Sequence, residues 1–241
     1  MAPRETDVGP LELTDNKIVV YRIGWEPDPF AWTPWQYANH GSFDGRWDDP
    51  AGTFRTLYLG DRLQGCLLEV LAGFRPDLAA VADVDAIEDN DGADAQFPTI
   101  RGGILPRSWL RPRRAGTAIL TGEFVDVRAA QTVATLRVRF GHLAAQIGLP
   151  DLDTAAIKSS APRTLTQAIA GWLYRDLRPP VTGVCFASRF GDDLTMWALF
   201  EQPGEDITGS TALTDAHTIE LDADTPALID AMRTHGLAWD G

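Results

Sequence analysis

Residues 54–73, FRTLYLGDRLQGCLLEVLAG, decide how the chain is built. The run FRTLYL at 54–59 is rich in aromatic and β-forming residues and predicts a strand. Asp61, with Gln64 three residues later, supplies a capping pair for a helix over about 61–73. At about 100° per residue, Leu63, Leu67, Val70 and Leu71 share one stripe of that helix. Glu69 projects off the stripe, yet its neighbours Cys66, Leu67, Leu68, Val70 and Leu71 are all apolar. A helix covered on nearly every side would desolvate that carboxylate, which is costly without a partner or a purpose. The plainer reading of Glu69 is a solvated helix glutamate.

Working outward, KIVVYRI at 17–23 reads as a strand, as does 117–127, where TAIL and EFVDV are split by Thr121-Gly122. A helix follows at about 131–146. Another, opened by a Thr164…Gln167 capping box, carries Leu165, Ile169, Trp172 and Leu173 to about 177. Strands at 181–187 (VTGVCFA) and 194–200 (LTMWALF) are joined by the turn-prone Gly191-Asp192-Asp193. A strand near 217–221 precedes a helix capped by Thr225, with Pro226 in its first turn and Gly236 past its end. Strands flank helices without regular βαβ alternation, so the expected class is α+β with a mixed or antiparallel sheet. No GxGxxG turn and no GxxxxGK[ST] loop occurs, which leaves Rossmann and P-loop nucleotide binding unsupported.

The 241 residues show no internal repeat and no Gly/Ser linker, so one domain is the simpler reading. Basic residues number 21 against 34 acidic ones, a net charge of -13 that disfavours a nucleic-acid partner. No signal-type apolar stretch opens the sequence and no segment approaches the ~18 apolar residues of a membrane span, so a cytoplasmic protein without membrane contact is expected. Cys66 and Cys185 lie in apolar runs and read as small buried hydrophobes; no Cys/His cluster has zinc spacing, and no metal is expected. The acidic run DVDAIEDNDGAD at 83–94, followed by RGGILPRSWLRPRR at 101–114, reads as an excursion from the core.

Two arginines are candidates for anion binding. Arg22 closes the first strand on the face of Val20 and Gly24, and Arg46 lies in the tight turn Gly45-Arg46-Trp47. Planar guanidinium forks match phosphate oxygens in pairs, so the two could clamp a pyrophosphate; each alone could equally form a surface ion pair. Between them lie Trp25, Phe30, Trp32, Trp35, Tyr37 and Phe43, large rings suited to a flat base or to packing of the loop on itself. His40 belongs to that loop and reads as a structural hydrogen bonder. Ser188 leaves a buried strand into a turn. With no GxSxG elbow and no accompanying histidine, it does not belong to a hydrolytic triad.

Tyr21-Arg22-Ile23, Gly45-Arg46-Trp47, Tyr58-Leu59, Leu68-Glu69, Gly183…Ser188 and Trp197-Ala198-Leu199-Phe200, in this order, resemble the RES domain, a family named for an arginine, a glutamate and a serine. Arg22 or Arg46, Glu69 and Ser188 fall in the matching order. The resemblance implies a fold like that of the ADP-ribosyltransferase toxins, with residues 17–202 as the NAD-binding and catalytic domain, 83–114 as its excursion, 1–16 as an N-terminal extension and 203–241 completing the fold. It also implies cleavage of NAD at the nicotinamide–ribose bond, with NAD as substrate and inorganic phosphate or water as acceptor. Glu69 would offset the ribosyl charge, Arg22 and Arg46 would grip the pyrophosphate, and Arg46 or another cation lining the pocket would receive an attacking phosphate. Tyr21 would line the cofactor site, Tyr58 would pack on the nicotinamide or ribose, and Ser188 would add a hydrogen bond. Several members are toxins of toxin–antitoxin pairs, which implies an antitoxin partner and leaves oligomerisation open. Transfer of ADP-ribose to a protein is one alternative. A non-catalytic nucleotide-binding module is another, favoured by Asp48, which stands where an asparagine often follows the GRW turn.

Overall fold

The computed structural model describes residues 3–76, 103–159 and 161–241. The acidic run at 83–94 lies outside the described residues. In chain order, a hairpin of β1 (Arg4–Thr6) and β2 (Gly9–Leu11) leads into β3 (Leu13–Trp25), β4 (Thr56–Gly60) and helix α1 (Leu63–Leu71). Then come β5 (Ile104–Leu105), β6 (Arg113–Asp126) and the helices α2 (Ala130–Gln146), α3 (Thr154–Lys158) and α4 (Thr164–Asp176). The chain continues through β7 (Gly183–Ser188), β8 (Gly191–Phe200), β9 (Leu213–Ile219), α5 (Pro226–His235) and β10 (Ala238–Trp239).

The main sheet has the order β3-β4-β8-β7-β6-β9, and β3 also pairs with β6 along its whole length, from Leu13 opposite Val125 to Trp25 opposite Arg113. The first five strands therefore close into a ring, with β9 added outside on β6. The pairing of β3 with β4 is a single rung, Tyr21 opposite Gly60. Among the described strands of this sheet only β6 and β7 pair in parallel, and the chain between them supplies α2, α3 and α4, the crossover that parallel strands require. The result is the expected α+β class with a mixed sheet.

Alternation along the strands sorts the side chains into an interior and two outer cores. Val20, Leu57, Leu59, Ala118, Leu120, Cys185, Trp197 and Leu199 fill the ring, joined by Phe30 and Trp32. On one outer side α2 and α4 bring Leu136, Phe140, Ile169 and Leu173 against Phe54, Phe186, Met196 and Phe200. On the other, α1 and α5 bring Leu67, Leu71, Leu228 and Ala231 against Ile23, Ala115 and Leu194. Both cysteines are buried and free, as their apolar settings predict.

Several local expectations are corrected. Strand β6 is not broken at Thr121-Gly122: Gly122 holds φ +121, and a Cβ there would fall 2.3 Å from Thr182 Oγ1, so glycine lets the strand run on beside Thr182. Asp61 does not cap α1; its backbone N–H donates to Thr195 O at 3.0 Å, prolonging the pairing of β4 with β8, and the cap position falls to Arg62 without a side-chain bond. Val70 is 40% exposed, while Cys66 and Leu68 are buried, because α1 packs against α5 as well as the sheet. The turn between β7 and β8 is Arg189-Phe190 rather than Gly191-Asp192-Asp193, since Ser188 pairs directly with Gly191. The strand expected near 217–221 is β9, ending at Ile219.

Candidate active site

Glu69 is half-buried on α1. Ser188, the last residue of β7 and 1% exposed, donates its hydroxyl to Glu69 Oε1 at 2.6 Å and accepts Phe190 N–H at 3.1 Å. The turn bond fixes the serine oxygen, and the serine in turn fixes the carboxylate. A hydrogen bond to a charged group contributes about 1.5–3 kcal/mol, enough to hold one rotamer of a helix glutamate that would otherwise sample several.

Arg46 lies within electrostatic reach of Glu69. Burial lowers the pKa of its guanidinium, and Glu69 is the first counter-charge that opposes the drop, followed by Tyr58. Its Nη1 donates to Lys158 O at 2.9 Å, and Cζ lies 4.6 Å from the centre of the Phe186 ring. Phe186 and Ser188 both belong to β7, so one strand seats the arginine and orients the glutamate.

The turn that carries Arg46 is held from three directions. Asp48 Oδ2 accepts Gly45 N–H at 2.5 Å, Tyr58 donates its hydroxyl to Asp48 Oδ1 at 3.0 Å, and Trp47 N–H donates to Tyr58 Oη at 2.9 Å. From α4, Gln167 Nε2 donates to Gly45 O at 3.1 Å, and Arg163 pairs with Asp44 at 3.1 Å. This use of Gln167 explains why the Thr164…Gln167 capping box does not form and Arg163 occupies the cap position without a side-chain bond. Gly45 is required: a Cβ would come 2.4 Å from Tyr58 Oη. Burial, with Asp48 beside it, pushes the Tyr58 pKa well above the phenol range. Burial likewise raises Asp48, against the bonds from Gly45 and Tyr58 that favour its ionised form. The Tyr58 hydroxyl is thus engaged in supporting the arginine turn, and Asp48 is the acceptor that shapes that turn.

A cavity of about 230 Å³ opens beside Arg46, lined also by Arg128, Lys158, Phe186, Ala187 and Asp192. Lys158 pairs with Asp192 across it, and Arg128 is held by Asp126 at 2.8 Å. Sequence reasoning missed both cations. The available signal was position: Arg128 follows the end of a predicted strand, and Lys158 is one of two lysines in the chain.

Arg22 is not brought to Arg46. It shares the interior face of β3 with Val20, opposite Gly116, and its Nη1 donates to Pro29 O. Burial lowers its pKa to about 10, opposed by Cys66 and Asp28. Alternation, correctly applied to this strand, is what separates the two arginines. Tyr21 has the other orientation and packs half-buried against the α1 and α5 core, its carbonyl accepting from Cys66 Sγ at 3.1 Å. His40 is exposed on the loop.

Among the described residues no group of three or more His, Cys, Asp or Glu is placed to hold a metal ion, and no helix is long and apolar enough to cross a membrane. The arrangement can fix a carboxylate beside a centre that becomes positive, and grip an anion next to it. The chain matches the family model of the RES domain over residues 19–224. No curated protein matches it significantly. Among solved structures, a chain of the M. tuberculosis MbcT-MbcA toxin-antitoxin complex is similar, at 16% identity and a TM-score of 0.43, with 92% of this chain and 91% of that one covered.

Proposed function

The chain belongs to the RES domain family, and on that premise we propose that it is an enzyme that cleaves NAD at the nicotinamide–ribose bond. The observation that carries this reading is the hydrogen bond that holds Glu69 against Ser188, from a helix and a strand, with Arg46 of the Gly45-Arg46-Trp47 turn within electrostatic reach of the carboxylate. Breaking the bond sends its electron pair to the pyridine nitrogen, releases neutral nicotinamide and leaves positive charge on the ribosyl carbon. A carboxylate held in place beforehand offsets that charge without reorganising at the moment of reaction. Glu69 takes this role. Ser188 keeps its carboxylate in position, and Arg46 faces the pyrophosphate.

The cavity beside Arg46, with Arg128 and Lys158 on its walls, suits a doubly charged oxyanion. It is the place for the remainder of the pyrophosphate or for inorganic phosphate as acceptor; water would give free ADP-ribose. Tyr58 supports the turn beneath Arg46, and Tyr21 lines the α1 side. Restraint by a partner protein, as for a toxin with its antitoxin, belongs to the same reading and rests on the family.

Incubation of the purified protein with NAD, with and without phosphate, tests the proposal. Nicotinamide together with ADP-ribose or its 1″-phosphate is the expected outcome. Intact NAD under both conditions overturns it, and label transferred from adenine-labelled NAD to protein would redirect it to ADP-ribosyl transfer.

A further inference from the structure

We propose a second ligand site, for a small planar aromatic molecule bearing an anionic group, in the cavity where Arg22 lies. This cavity, about 570 Å³, shares no lining residue with the one beside Arg46. Its volume falls in the range of roughly 300–1,000 Å³ typical of small-molecule pockets. Its walls are Trp25, Trp32, Pro34, Tyr37 and Ile207. Trp25, Tyr37 and Ile207 are 57%, 68% and 49% exposed and form the mouth, whereas Trp32 is 1% exposed. Large apolar rings left in water on both sides of a cleft are surface that a flat ligand would cover.

The polar groups set the charge of that ligand. Among the described residues Arg22 has one hydrogen-bond partner, the Pro29 carbonyl, and takes part in no ion pair. Arg22 is half-buried, with Asp28 as a nearby opposite charge outside ion-pair distance, and its remaining N–H groups match a carboxylate or phosphate. Two acids also border the cavity. Glu26 is neutralised by Arg114 at 2.7 Å, and Asp28, exposed to solvent, uses Oδ1 to accept Phe30 N–H at 2.8 Å.

The test is calorimetric titration of the full chain carrying Glu69→Gln with two matched pairs of probes: AMP against adenosine, and nicotinate against nicotinamide. The expected result is that at least one anionic probe binds at least about tenfold more tightly than its neutral counterpart. Arg22→Gln erases that difference, and Arg46→Gln leaves it in place. Preference for AMP identifies a phosphate ligand and preference for nicotinate a carboxylate. Should Arg22→Gln fail to fold, Trp25→Ala and Tyr37→Ala, both at exposed positions, are read instead, and each is expected to weaken the anionic probe several-fold. No binding of either anion in the millimolar range, equal binding within both pairs, a preference lost with Arg46 rather than Arg22, or wall variants without effect would each overturn the proposal.

Discussion

Ser188 Oγ and Glu69 Oε1 lie 2.6 Å apart although 119 residues separate them in the chain. The bond joins the end of a strand to the last turn of a helix, so the position of the carboxylate is set by packing of β7 and α1 and not by the helix alone. Replacing Glu69 by Gln keeps the shape and removes the charge. NAD consumption should fall by about 10²–10³, with thermal stability little changed. Ser188→Ala, which frees the carboxylate without neutralising it, should cost about 10-fold to 100-fold, measured in the same assay.

Arg46→Lys retains the positive charge but loses the fork that bonds Lys158 O and the flat face over Phe186. Its effect should appear mainly as a raised KM for NAD, with kcat reduced less. Steady-state kinetics would separate the two; an unchanged KM would remove Arg46 from substrate binding.

Tyr58→Phe leaves Trp47 N–H and Asp48 Oδ1 without their partner. Loss of about 1–3 kcal/mol is expected from urea denaturation, together with reduced NAD cleavage, because the turn under Arg46 loosens.

Neighbouring acids should respond to pH in opposite senses. At Asp49 burial raises the pKa, but hydrogen bonds from Thr53, Ala51 and Arg175 outweigh it and the folded-state value is lowered. Its contribution is therefore present above the ordinary aspartate value of 3.8 and lost as pH falls through the lower folded value. At Asp48 the folded-state value is raised, so ionisation opposes folding once pH climbs above 3.8 and through that raised value. Urea midpoints should show Asp49→Asn losing most stability at neutral pH and little in strong acid. Asp48→Asn should be least penalised at neutral pH. Parallel profiles for the two variants would contradict the assignment.

Burial pushes the thiols of Cys66 and Cys185 up to about 12. Neither should react appreciably with a thiol reagent at neutral pH in the native protein, and both should react after denaturation. Rapid native labelling would show that one is reachable.

Most elements are legible because their signals are local. KIVVYRI reads as a strand, and Pro226 with Gly236 brackets α5 as expected, Gly236 adopting φ 67. Closure of the ring is not legible, since it depends on β3 pairing with β6 almost 100 residues away. Side-chain capping fails as a guide where tertiary contacts compete for the same groups, as Gln167 shows by bonding Gly45. In the site, order along the chain singles out Glu69, Ser188 and two candidate arginines, Arg22 and Arg46. Order cannot say which of two arginines faces the glutamate, because that depends on which side of β3 looks into the ring. Arg128 and Lys158 carry no pattern of their own and are recognisable only once folding has placed them beside Arg46.

Among the described residues β9 has a sheet partner on one side only, so the opposite row of amides is a place where a strand from another molecule could add. That row is not straight. Its register against β6 slips between Thr117 and Ile119, Asp215 takes a left-handed conformation at φ 52, and residues 214–218 are exposed and mostly polar. An incoming strand would meet a kinked, hydrated border and find no continuous ladder to extend, which guards this rim against runaway self-association.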